Sequence, residues 1–256
     1  LLQDTRDFRR VVICGFESEV PQRFIDHVAG GGTPEQYRLL GVATVMDLMF
    51  FGVLNSEANQ ILDLGCGCGR LAMAICPVLD PAQGGAYSGF DIWHEGVSWA
   101  SERVSSIYPH AKFSALGEHV GYDAKVSYRL EVPDNSQDGI LATSVFTHLR
   151  FEPANHYASE IARVLKQGGK AYVTFFASKE VYRSWNMSKP QEEDDYGIHA
   201  VNIQAEDTFT DEVKVREMFE SHGLKVLGVK YGNWRGGTQP HRGVAGGQDV
   251  FVLKKS

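Results

Sequence analysis

Between Glu35 and about Val53 the apolar residues Leu39, Val42, Met46, Met49 and Phe50 recur at three- and four-residue spacing, which predicts an amphipathic helix. The run Gly30-Gly31-Gly32-Thr33-Pro34 breaks the chain in front of it, and residues 1–29 mix charge with short apolar pieces without a clear period. Beyond Asn55 the pattern changes to short apolar strands alternating with helices. The strands are Gln60–Leu64, Ala86–Phe90, Ala111–Phe113, Gly139–Thr143 and Lys170–Phe176. Among the helices, Tyr157–Leu165 places Ile161, Val164 and Leu165 on one face, and Gly168-Gly169 supplies a left-handed cap behind it. Glu212–His222 reads as a helix ending at Gly223, followed by two strands, Leu224–Lys230 and Asp249–Leu253. The alternation predicts an α/β fold with a mostly parallel sheet, and no internal repeat is visible.

Organisation follows from the same pattern. Residues 1–54 form an N-terminal helical lid or flank, and residues 55–256 the α/β domain. Two segments are longer than connection requires and read as insertions: 178–210, which carries the acidic run Glu192-Glu193-Asp194-Asp195, and the glycine-rich stretch 231–248. Hydrophobic residues make up 43% of the 256 and charged residues 22%, a globular balance that excludes a disordered chain and a collagen. With 25 Lys and Arg against 32 Asp and Glu the net charge is -7, which argues against the cationic face of a nucleic-acid binder and suits neutral or cationic small substrates. The four cysteines, Cys14, Cys66, Cys68 and Cys76, form no C-x-x-C pair, so a reducing, cytoplasmic setting is expected. The best apolar run, Val42 to Leu54, is interrupted by Asp47 and falls short of the ~18 residues of a membrane helix. A chain that starts at Leu1 rather than Met leaves room for a segment removed from its front.

The strongest chemical signal is Ile61-Leu62-Asp63-Leu64-Gly65-Cys66-Gly67-Cys68-Gly69-Arg70. An apolar strand runs into three alternating glycines and then into helical Leu71–Ile75, so backbone amides can approach a ligand at a helix start. A dinucleotide fingerprint needs Gly or Ala where Arg70 stands, which disfavours pyrophosphate. Asp91 closes the next strand, 22 residues after Gly69, where a carboxylate can accept both hydroxyls of a ribose.

These residues resemble the class I S-adenosylmethionine-dependent methyltransferases, whose first motif has the form LDLGCGxGR and whose second strand ends in an acid. The likeness continues through DGILATSVFTHL (Asp138–Leu149), EIARVLKQGGKAYVTFF and the final QDVFVLKK, and covers roughly residues 55–256. It implies a Rossmann-like, doubly wound sheet of seven strands with helices on both faces and the last strand antiparallel. It also implies that S-adenosyl-L-methionine is the cofactor. By position, Gly65, Cys66, Gly67 and Gly69 would line its methionine and ribose parts and Asp91 would hold the ribose hydroxyls. Asp63 would orient the turn and reach the amino group, directly or through water; Ile92 and Trp93 would flank the adenine, and Ser144 in the fourth motif would complete the lining. For Trp93 the alternative is packing against the sheet edge. The acid that the family often places after the third strand is missing, since Leu116 and Gly117 stand there; Glu118 is the candidate substitute, with backbone groups as the alternative.

The fourth motif also bears on the acceptor. Methyltransferases of base amino groups carry Asn or Asp followed by Pro-Pro and an aromatic, whereas this chain has Thr143-Ser144-Val145-Phe146-Thr147-His148, and it has no Pro-Cys pair for cytosine carbon methylation. Nucleic acid is therefore not the expected acceptor. Methyl transfer is an in-line displacement that depends on positioning, and an alcohol acceptor must also lose a proton. His148 follows the fourth strand on the ligand-binding edge and is the candidate base, the alternative being a histidine bonded to nearby backbone. Candidate acceptor contacts are Tyr37 on the N-terminal helix, His199 in the first insertion, and Trp234 and His241 in the second. No metal cluster is legible. The expected function is methylation of an oxygen, or secondarily a nitrogen, of a small molecule or saccharide. The alternatives are a protein side-chain methyltransferase and a non-catalytic S-adenosylmethionine-binding protein.

Overall fold

The Thr33 hydroxyl accepts the Gln36 N–H, and the Gln36 side chain accepts the Thr33 N–H in return. This reciprocal cap, with Pro34 in the first turn, starts a helix over Pro34–Phe50 where the glycine break ends. The structure is a computed structural model and describes residues 20–29, 32–56, 59–117, 127–178, 211–236 and 247–256. In chain order its elements are α1 (Gln22–Ala29), α2 (Pro34–Phe50), β1 (Gln60–Leu64), α3 (Arg70–Ile75), β2 (Ala86–Asp91), α4 (His94–Ile107), β3 (Ala111–Ala115), β4 (Gln137–Ala142), α5 (Phe151–Val164), β5 (Leu165–Phe175), α6 (Glu212–Ser221), β6 (Leu224–Lys230) and β7 (Asp249–Lys255).

The strands form one mixed seven-stranded sheet in the order β3-β2-β1-β4-β5-β7-β6. β1 runs parallel to both β2 and β4, and β2 parallel to β3, whereas β7 lies antiparallel to both β5 and β6. This is the arrangement expected, with the last strand reversed. Because the chain runs outward from β1 to β3 and resumes at β4 on the other side of β1, the topology switches between β1 and β4. Ligands of such sheets bind beyond the carboxyl ends of the strands at that point.

By contacts the chain divides into two compact units. One is Leu1–Gly121 with Ser136–Leu141 and Arg242–Ala245, and the other is Tyr122–Asn135 with Ala142–His241 and Gly246–Ser256. In the first, Ile61, Leu62, Leu64, Tyr87, Ala100 and Val104 are buried, and the Asp138 carboxylate accepts the Asn59 and Gln60 N–H groups at 3.1 and 2.8 Å, tying β4 to the start of β1. In the second, the Phe175 ring centroid lies 5.1, 5.9 and 5.5 Å from those of Phe146, Phe219 and Phe251, an aromatic core packed at tilted and edge angles.

Three local expectations are corrected. The residues of α2 that pack are Tyr37, Gly41, Val45 and Leu48, while Leu39 and Phe50 are 66% and 83% exposed and Met46 also faces out. The helix is apolar on both sides, and close approach selects the side with Gly41, where an added Cβ would stand 3.2 Å from the Arg70 carbonyl oxygen on α3. Gly168 and Gly169 do not cap a helix: α5 ends at Val164, Leu165 turns to extended backbone, and both glycines lie within β5. The sequence before the glycine break contains a helix, α1, which buries Phe24 and Ile25. Among the described residues no helix is long and apolar enough to cross a membrane.

Candidate functional site

The turn after β1 is built by its glycines. Gly65, Gly67 and Gly69 have φ of 83°, 54° and 87°, left-handed values that a side chain would strain. Gly65 and Cys66 donate their N–H groups to the Phe90 carbonyl at 2.7 and 3.1 Å, so the turn is fastened to the end of β2, and Gly69 begins α3. A Cβ on Gly69 would stand 3.1 Å from Val104 Cγ2 of α4, so the third glycine also admits helix packing. Cys66 and Cys68 are buried, and burial pushes both thiols up, away from the thiolate form.

Two carboxylates flank this turn, and one of them holds it. Asp91, the last residue of β2, accepts the Gly67 N–H on Oδ2 at 2.7 Å and the Trp93 N–H on Oδ1 at 2.8 Å. Burial pushes its carboxyl up, while these backbone bonds and the nearby His27 act in the opposite direction. A carboxylate has about four lone-pair sites, so two are left for a ligand's hydroxyls. Asp63 is fully buried in β1. Its Oδ2 accepts the Tyr87 hydroxyl at 2.5 Å, and its Oδ1 has no hydrogen-bond partner among the described residues. Burial, with a lesser push from Asp91, raises this carboxyl to about 7, against the Tyr87 bond and Arg70, which pull it down. An unpaired buried carboxylate oxygen is costly and is satisfied by a donor or a cation.

The close approach allowed at Gly67 is used by the protein itself: Val28 Cγ1 of α1 lies 3.0 Å from where a Cβ would stand. Trp93 packs under the same helix, with the Phe24 ring edge-on at 4.9 Å and the His27 ring tilted 32° at 4.1 Å. Ile92 beside it is 37% exposed. Tyr37 is not an exposed lid residue: it is buried, its hydroxyl lies 3.1 Å from Cys68 Sγ, and the Arg70 guanidinium stands 5.6 Å from its ring centre. The first unit thus brings together Asp63, Gly65, Cys66, Gly67, Gly69, Asp91, Ile92 and Trp93.

In the second unit Ser144, just beyond β4, has φ 58°, a left-handed value rare for a residue with a side chain. Its N–H donates to Thr174 Oγ1 at 2.8 Å, and its exposed hydroxyl pairs with the Gln248 side chain. His148 ends a short 3-10 turn, Phe146–His148, and burial lowers its pKa below the usual imidazole value. Trp234 is not the loop-borne platform expected; it is buried with its ring 5.1 Å from that of Phe176. The cause is Asp249, fully buried at the head of β7, which accepts bonds from Gly232 N, Ala177 N and Arg235 Nε and Nη2. Arg235 in turn donates to the Ala177 carbonyl and lies 4.1 Å from the centre of the Tyr231 ring. Ser178 and Asp211, at the two ends of the first insertion, bridge each other. Glu118, His199 and His241 lie outside the described residues, as does most of both insertions.

Sequence reasoning missed His27, Val28 and Gln248. Phe24, Ile25 and Val28 carry the i, i+1, i+4 pattern of a single helical face, a signal too short to stand out in a polar segment.

Residues 62–173 match a family model described as a methyltransferase domain. Among solved structures, a putative sarcosine dimethylglycine methyltransferase from Galdieria sulphuraria aligns at TM-score 0.58 and 17% identity, over 92% of this chain and 98% of that one. The magnesium protoporphyrin IX methyltransferase of Synechocystis PCC 6803, solved with bound SAH, aligns at 0.53 and 17%, over 98% and 94%. A putative methyltransferase of Haloferax volcanii, solved with the Trm112 methyltransferase activator, aligns at 0.55 and 19%, over 93% and 99%. Residues 62–173 thus match a methyltransferase domain, on a fold shared with solved methyltransferases, with a glycine turn closing β1 and an acid closing β2.

Proposed function

We propose that the protein transfers a methyl group from S-adenosylmethionine to an oxygen of a small molecule or saccharide, with nitrogen as the second choice. The observation that carries the cofactor part of this reading is the pair of carboxylates beside the glycine turn: Asp91 with two lone-pair sites to spare and Asp63 with a buried oxygen unmatched. The residues fit the cofactor. Asp91 would accept the ribose hydroxyls, Asp63 Oδ1 would face the ammonium, and the backbone of Gly65, Cys66, Gly67 and Gly69 would pass along the methionine and ribose. Ile92 and Trp93 would flank the adenine, with Glu118 as a further contact and Ser144 lining the site. When bound, the cofactor supplies an electrophilic methyl carbon on a sulfonium sulfur.

The chain's own part is positioning and proton removal. Nε2 or Nδ1 of His148 would take the acceptor's hydroxyl proton, for which the ring must be neutral, and burial favours that form. Residues 1–54 serve as the lid, and the insertions 178–210 and 231–248, with His199 and His241, form the acceptor side. The net charge of -7 and the absence of a base-methylating motif support a small acceptor over nucleic acid in a cytoplasmic setting.

Incubation with methyl-labelled S-adenosylmethionine and size-fractionated cell extracts tests the acceptor class. Label is expected in the small-molecule fraction; label on macromolecules points to a protein side chain, and retention of unreacted cofactor without transfer points to a binding protein.

A further inference from the structure

One helix packs on both the glycine turn and the residue that follows Asp91 and Ile92. Helix α1 sets Val28 over Gly67 and closes on Trp93 from two sides with Phe24 and His27. Of these three side chains only His27 can exchange hydrogen bonds. Its ring is exposed, lies 4.1 Å from that of Trp93, and has no hydrogen-bond partner for either nitrogen among the described residues. The Trp93 that it packs on donates its N–H to Asp91 Oδ1 at 2.8 Å, so the imidazole lies one residue away from the carboxylate that holds the turn.

The chemistry of a ribose makes that neighbour informative. Each hydroxyl offers one proton and accepts on two lone pairs, whereas Asp91 as a carboxylate can only accept. With Asp91 taking the protons, the hydroxyl oxygens still need a donor. The nearby backbone donors, Gly67 N–H and Trp93 N–H, are already given to Asp91 itself. The His27 imidazole is a side-chain donor next to them.

We propose that His27 is a cofactor-contacting residue that donates to a ribose hydroxyl opposite Asp91, so that α1 forms a wall of the nucleoside site. The inference rests on the reading that Asp91 binds the ribose. It also gives α1 a function: the helix is held to the body by the buried Phe24 and Ile25 and by an exposed Arg23–Glu95 pair at 2.7 Å, an arrangement that keeps the imidazole over the turn.

The test is a cycle between protein and ligand. Binding of S-adenosylhomocysteine is measured by calorimetry, and adenosine and 2′,3′-dideoxyadenosine by competition against it, for wild type, His27→Ala, His27→Asn and Asp91→Ala. One net hydrogen bond corresponds to roughly tenfold in affinity. His27→Ala is expected to weaken S-adenosylhomocysteine and adenosine by about that factor and to leave dideoxyadenosine unchanged. His27→Asn, which keeps an N–H donor, should recover part of the loss. Asp91→Ala should weaken adenosine and spare the dideoxy compound. If Asp91→Ala is silent, the underlying ribose reading fails. If Asp91→Ala behaves as expected but His27→Ala weakens both nucleosides equally, the histidine is only packing on Trp93 and the inference is overturned. It is also overturned if His27→Ala tightens binding, since α1 would then be a plug that the cofactor displaces.

Discussion

Replacing Asp63 by Asn should remove a proton-linked step from cofactor binding. The carboxyl is fully buried and raised to about 7, so it titrates in the neutral range. A ligand ammonium against the unpartnered Oδ1 favours the charged form, and an opposite charge at such range lowers a carboxyl pKa by roughly 1–3 units. With a free value near 7 and a bound value near ~5, binding at pH 7 releases about half a proton, and affinity falls roughly tenfold from pH 8 to pH 6. Calorimetry of S-adenosylhomocysteine in two buffers of different ionisation enthalpy reads the proton count directly. The Asn variant should bind without proton release and with a flat profile over this range, after losing a charge-assisted bond of about 1.5–3 kcal/mol at pH 8. Stability gives an independent sign. The folded pKa lies above the ~3.9 of an unfolded Asp, so the stability tied to this group is fully present below pH ~4 and is lost as pH rises toward ~7, by about 4 kcal/mol in all. Asp63→Asn should lack that decline. The same slope of affinity with pH in wild type and variant would refute the reasoning, because the titrating group would then lie elsewhere.

Other substitutions probe the rest of the site. Gly67→Ala adds a methyl 3.0 Å from Val28 at φ 54° and should cut S-adenosylhomocysteine affinity at least tenfold in a thermal-shift titration; unchanged affinity would remove the turn from the site. Arg235→Gln leaves the fully buried Asp249 without its cation and should destabilise the fold by about 3–5 kcal/mol in urea unfolding, a prediction that fails if the midpoint hardly moves. His148→Gln should leave cofactor affinity intact and lower turnover about 10²–10⁴-fold. Since burial lowers this imidazole's pKa, the acid limb of the wild-type rate should lie below pH ~6.5 and vanish in the variant; a persisting limb would assign the base elsewhere.

The parts of this fold that local sequence dictates are the parts that could be read from it. Three glycines at alternate positions mark left-handed backbone whatever surrounds them, and an acid at the end of the next apolar run falls beside them because β1 and β2 pair in parallel, Leu64 against Phe90. Apolar runs between turn residues delimit the strands Gln60–Leu64 and Leu224–Lys230, which form at those bounds. Reading failed where tertiary packing decides. Helix α2 has two apolar faces, and only the presence of α3 selects the one bearing Gly41. Trp234 sits in a stretch of glycine and polar residues that looks exposed, yet Asp249, 14 residues beyond Arg235, draws the turn inward through a part-buried ion pair that no local pattern announces. Helix α1 offers only Phe24, Ile25 and Val28 as a face, and its worth lies in what it covers.

The account is tested most directly by a crystal structure of the protein with S-adenosylhomocysteine. It predicts both ribose hydroxyls within hydrogen-bond distance of the Asp91 carboxylate, and the ammonium on Asp63 Oδ1, directly or through one water. A ribose bound away from Asp91, or an Asp63 Oδ1 still unmatched with the ligand in place, would contradict it.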